Sequence, residues 1–99
     1  MIQGIIYKYT SPSNKSYIGQ TIQGELRKQQ HRKNAYNENY VGYNYPFYNA
    51  IRKYGFDSFT YEVLITINEE DIEILFNRLN ELEIYYIGKF DSYNNGYNS

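Results

Sequence analysis

Residues 4–31, Gly4 to His31, read GIIYKYTSPSNKSYIGQTIQGELRKQQH, and the reading of this stretch decides the fold. GIIYKYT and KSYIGQT are short β-branched and aromatic runs, and SPSN between them is turn chemistry: Pro12 fixes φ, while the Ser and Asn side chains can bond nearby backbone. The spacing predicts a β-hairpin. Side chains alternate faces along a strand, so Ile5, Tyr7 and Tyr9 share one side and Tyr17 shares its side with Gly19. Whether Tyr7 and Tyr17 face the same way depends on register, which the loop leaves open. The helix formers of GELRKQQHRKNAY follow at once, and Arg27 and His31, four apart, lie one above the other on a polar face.

Outward from this stretch, residues 37–44 (NENYVGYN) show no periodicity and read as a polar loop. PFYNAIRKYG predicts a short amphipathic helix, with Pro46 in its first turn, Phe47, Ala50, Ile51 and Tyr54 on one stripe, and Gly55 as the stop. FTYEVLITI, residues 59–67, predicts a strand with Phe59, Tyr61, Val63, Ile65 and Ile67 on one face and Leu64 on the other. Asn68 is the expected N-cap of a helix reaching about Lys89, with Glu69, Glu70 and Asp71 in its first turn. Its stripe is Ile72, Leu75, Phe76, Leu79, Leu82, Tyr86, Ile87 and Phe90. Glu83 stands at the edge of that stripe, where a carboxylate must be paired, protonated, metal-bound or led out to water. The tail DSYNNGYNS reads as loop. The whole predicts one α+β domain over residues 1–99, a small three-stranded antiparallel sheet flanked by three helices.

Composition bounds the function. A hydrophobic share of 41% with 19% aromatic argues against a disordered chain, and the 14 tyrosines make the edge of the core rich in hydroxyls. No cysteine means no disulfide and no thiolate metal site, and no apolar run approaches membrane-spanning length. A soluble cytoplasmic protein, monomeric and without a membrane, is the expectation. The net charge of −1 is unevenly spread: residues 1–55 carry eight Lys and Arg against two Glu, a balance of +6, and residues 56–99 carry two against nine, a balance of −7. Such halves hint at a nucleic-acid face on one side, although a nearly neutral total releases few counterions and leaves tight autonomous binding to another source. The abundance of Tyr, Asn, Ile and Lys suggests an AT-rich genome, as in a phage or a low-GC bacterium.

No P-loop, no GxGxxG and no Ser/His/Asp set is present, and one histidine without cysteine cannot build a zinc site of the usual composition. What remains is Tyr7, Tyr17, Arg27, His31, Glu83 and a tail rich in Asn and Tyr, a mix suited to phosphate chemistry. Ile5-Ile6-Tyr7, Tyr17-Ile18-Gly19, Arg27, His31, YGFDSF at 54–59, Glu83 in ELEIYYI and Gly96-Tyr97-Asn98 together resemble the catalytic domain of GIY-YIG endonucleases of the homing or mobile-element type. The likeness spans nearly the whole chain. Two departures stand out: the first motif is IIY with Gly4 one position early, and the gap between the motifs is nine residues, which bears on hairpin register.

The resemblance implies a three-stranded antiparallel sheet with flanking helices and hydrolysis of DNA phosphodiesters with a single divalent ion, Mg²⁺ or Mn²⁺ in its place. It implies Tyr7 as the base or relay for the attacking water, Tyr17 as a phosphate holder or its assistant, and Arg27 as stabiliser of the pentavalent transition state. His31 would contact the phosphate or shuttle a proton, Glu83 would be the protein's ligand to the metal, and Asn98 would bond the scissile region or brace the site. Sequence preference would come from a separate DNA-binding domain or partner, the chain being a catalytic fragment or a minimal nuclease. Two alternatives stay open: a non-catalytic nucleic-acid-binding module that stacks bases on its tyrosines, and an RNA-directed nuclease on the same scaffold.

Overall fold

In the computed structural model, which describes all 99 residues, the hairpin forms as expected: β1 (Ile2–Thr10) and β2 (Ser16–Thr21) pair antiparallel. The third strand, β3 (Thr60–Glu69), pairs antiparallel with the other edge of β1, giving the order β2-β1-β3. The hairpin register sets Tyr7 opposite Gly19 and Tyr9 opposite Tyr17. Tyr7 and Tyr17 therefore face the same side, with ring centroids 6.3 Å apart.

The expected single face of β3 is corrected. Tyr7 pairs with Val63 and Ile6 with Ile65, so Leu64 is an extra residue, a β-bulge. The bulge reverses the parity of the strand. Phe59 and Tyr61 pack on one face of the sheet, whereas Ile65 and Ile67 join Leu64 on the other.

Helices α1 (Gly24–Ala35) and α2 (Pro46–Tyr54) cover the first face, and α3 (Ile72–Phe90) covers the second. Under α3 lies an aliphatic core of Ile6, Ile18, Ile67, Leu75 and Leu79. Under α1 and α2 lies an aromatic one containing Tyr7, Tyr9, Phe47, Tyr48 and Phe59. The stripe of α2 is as expected, with Tyr48 buried beside it. Helix α1 is polar almost all round and buries only His31 and Ala35, which with Arg27 make a line of steps of four.

The start of α3 differs from expectation. Asn68 and Glu69 are held in the β3 ladder opposite Gln3 and Ile2, so neither can open a helix, and the N-cap is Asp71. Its carboxylate accepts from the amides of Glu73 at 2.8 Å and Ile74 at 3.3 Å. The tail is also not a plain loop. Asp91, in the left-handed region at φ 51°, turns the chain into a one-turn helix, α4 (Ser92–Asn95), so the sheet has three long helices around it and a short fourth. No helix is long and apolar enough to cross a membrane.

Candidate active site

Strand β1 carries Tyr7 into the aromatic layer, 2% exposed, with its hydroxyl end over Gly19 of the edge strand β2. A Cβ at position 19 would overlap the Tyr7 ring, so glycine there is what lets the phenol lie across β2. Helix α1 brings His31 onto it: the Tyr7 hydroxyl and His31 Nε2 are 2.7 Å apart, and His31 Nδ1 is 2.9 Å from the Tyr48 hydroxyl. Both ring nitrogens are thus engaged, and the imidazole is 1% exposed. Burial, helped by the Arg27 charge, lowers its pKa to about 3. The ring is neutral at any physiological pH.

Tyr17 lies face to face with Phe47, 4.2 Å between centroids and 5° between planes. Burial pushes its phenol up to about 12, the Arg27 guanidinium opposing this and the Tyr48 and Glu83 charges adding to it. Tyr7 is raised further, by burial first and then by Tyr17, against the pull of Arg27. Both are neutral phenols. Arg27, although half-buried, keeps its charge: desolvation opposes it, but the neighbouring hydroxyls of Tyr7, Tyr48 and Tyr17 outweigh that cost. Its guanidinium donates to Gln30 Oε1 at 3.1 Å.

Glu83 comes from the other layer. It stands on α3 next to Gln20 and Asn80, whose side chains bond each other at 2.7 Å across the β2 edge. It makes no ion pair and no hydrogen bond to Tyr7, Tyr17, Arg27 or His31; its link to them is its field, felt by Tyr17. Burial raises its carboxyl above the usual range, only partly offset by Gln20. Asn98 sits on the outer edge of β2, where its amide donates to Ile18 O and its oxygen accepts from Ile18 N, both at 2.8 Å. With the Tyr97 amide bonded to Ser16 O at 2.9 Å, the tail closes that edge.

The structure therefore joins Tyr7, Tyr17, Arg27 and His31 on one face, with Asn98 at the rim, while Glu83 stays on α3 and is linked to them only by its field on Tyr17. Arg27, Tyr17, Tyr48 and Asn98 line a cleft of about 240 Å³, with Tyr7 packed against Tyr17 and His31 bonded to Tyr48. Tyr48, which holds His31 and lines the cleft, escaped the sequence reading. Its signal was indirect: a histidine with one nitrogen bonded in a core needs a partner for the other.

A small α+β domain with an edge-strand site of this kind is the class the fold defines. It is similar to the solved catalytic domain of homing endonuclease I-TevI, with TM-score 0.72 and 21% identity over 95% of each chain. The fold implied by the motif resemblance is the fold the chain has. No family model and no curated protein matches the sequence.

Proposed function

We propose that the chain is a metal-dependent endonuclease that hydrolyses DNA phosphodiester bonds. The observation that carries this reading is the gathering of the Arg27 charge, the Tyr17 hydroxyl and the hydrogen-bonded chain Tyr7, His31, Tyr48 at one edge of the sheet. The fold shared with a homing-endonuclease catalytic domain supports it. So does the charge pattern, since β1, β2, α1 and α2 belong to the basic half of the chain.

Arg27 faces the phosphate and complements the charge that grows on its oxygens. Tyr17, a neutral phenol, donates to a phosphate oxygen. A tyrosine whose own pKa is raised is a poor reservoir of negative charge, so Tyr7 acts as a relay. It takes a proton from the attacking water while its own passes to His31 Nε2, and the Nδ1 proton moves to Tyr48, whose hydroxyl releases one to the cleft. His31 is neutral before and after, which matches an imidazole that resists protonation. Asn98 braces β2 beneath Tyr17.

A hard divalent ion would have Glu83 as its one protein carboxylate, the rest of its shell being water and substrate oxygens. Mg²⁺ takes one or two carboxylates and keeps its waters, and Glu83 is a half-buried carboxyl without a cationic partner. Bound there, Mg²⁺ or Mn²⁺ would polarise a phosphate oxygen. The near-neutral net charge of −1 fits a catalytic unit whose target preference is supplied by a separate DNA-binding domain or partner.

The test is nicking of plasmid DNA with and without Mg²⁺, with RNA offered alongside. Cleavage should need the metal and fall about 100- to 1,000-fold in Arg27→Ala, with a comparable loss in Glu83→Ala. Undiminished activity in both folded variants would sink the mechanism.

A further inference from the structure

The connection between α1 and α2, read from sequence as an ordinary polar loop, is an aromatic wall. Tyr45 stacks on Tyr48 at 29° with centroids 6.2 Å apart, and Tyr40 meets the same ring at 5.8 Å. These three tyrosines and Tyr97 line the cleft beside Arg27, which is the one charged side chain there.

We propose that this cleft seats one unpaired nucleobase of the substrate, adjoining the phosphate that Arg27 holds. The inference rests on the phosphodiesterase reading above and names the substrate feature it selects.

Size, shape and charge all point the same way. Pockets for drug-sized ligands begin at about 300 Å³, and a cleft of about 240 Å³ has room for one flat ring system. Flat walls edged with hydroxyls match a flat ring edged with donors and acceptors, and base–aromatic stacking tolerates any base. None of the side chains lining the cleft is a carboxylate.

The wall is also built in advance. A Cβ on Gly42 would lie 2.7 Å from the Tyr40 ring and would overlap that of Tyr45, so the bare glycine is what lets the two rings lie against the loop backbone. Arg52 caps Tyr43 at 3.6 Å from its ring centroid and donates to Ala35 O, tying the loop to the end of α1. Tyr45 nevertheless stays 54% exposed, an aromatic surface left open to a ligand. A base inside a duplex is stacked on both faces, so it enters such a seat only once out of the stack.

The experiment compares three labelled DNA duplexes, identical except at one position: fully paired, carrying one unpaired base, or carrying an abasic gap. Binding to the wild-type chain is read by fluorescence anisotropy without divalent metal, and cleavage is read separately with Mg²⁺. The unpaired base should tighten binding about 5- to 100-fold over the paired duplex. The abasic duplex should lose that gain, and so should Tyr45→Ala, with folding checked by circular dichroism. An abasic duplex bound as tightly as the unpaired-base one would show that flexibility is recognised, and would overturn the proposal. An unchanged preference in Tyr45→Ala would do the same. Base-dependent binding that Tyr45→Ala abolishes, with no cleavage of any duplex, would support the seat and overturn the nuclease reading instead.

Discussion

The two faces of the sheet are packed by different chemistry. Under α3 five aliphatic side chains, Ile6, Ile18, Ile67, Leu75 and Leu79, meet without a polar atom between them. Under α1 and α2 the core is built of Tyr7, Tyr9, Phe47, Tyr48 and His31, and its hydroxyls and ring nitrogens need partners. Each layer hinges on a glycine. Gly4 lets Leu79 approach β1, where a Cβ would lie 2.7 Å from its Cδ1, and Gly19 lets Tyr7 cross β2. Aliphatic burial is non-directional, and each such side chain contributes about 1.5–3 kcal/mol. The aromatic layer adds about 0.5–1.5 kcal/mol per ring pair beyond area, but it fixes orientations. One layer holds the fold together; the other positions groups that can act.

That division can be broken in four ways. The largest effect is expected from Leu79→Ala, which opens a cavity in the aliphatic layer and should cost about 2–5 kcal/mol in denaturant unfolding. Cleavage per folded molecule should stay at the wild-type level. Gly19→Ala should behave oppositely, losing about 1–3 kcal/mol of stability to overpacking but about 100-fold in activity as the Tyr7 hydroxyl is displaced.

Acid should act on the aromatic layer first. His31 has a folded pKa near 3 against an ordinary 6.5, so the unfolded chain binds the extra proton between those values. Its contribution is complete above pH 6.5 and shrinks as pH falls toward 3, by up to about 1.4 kcal/mol per pH unit. Urea midpoints measured from pH 7 to pH 4.5 should show this slope, and His31→Asn should flatten it. The smallest change is Tyr9→Phe. The Tyr9 hydroxyl is buried without a hydrogen-bond partner, so its removal should leave the melting temperature unchanged or raise it by the equivalent of about 1 kcal/mol. A marked fall would mean that the hydroxyl is satisfied in solution.

The pattern of the chain made much of this legible. Turn residues marked the hairpin, Pro46 and Gly55 bracketed α2, and the apolar spacing of residues 72–90 gave α3 to within a residue of its end. The α+β class and three-stranded sheet followed from those elements, and the order of the motifs implied the same fold. Asn98 was picked out by motif, yet its bracing of Ile18 is a long-range contact that no local pattern carries.

The sequence by itself determined where the three strands and the three long helices lie, though not the start of α3 or the short α4, because propensity, capping and periodicity act over a few residues. Tertiary structure alone decided that Tyr7 and Tyr17 share a face, that Leu64 bulges and reverses β3, and that Tyr48 closes on His31. Those facts depend on register, and register is settled only when distant strands and both cores pack at once.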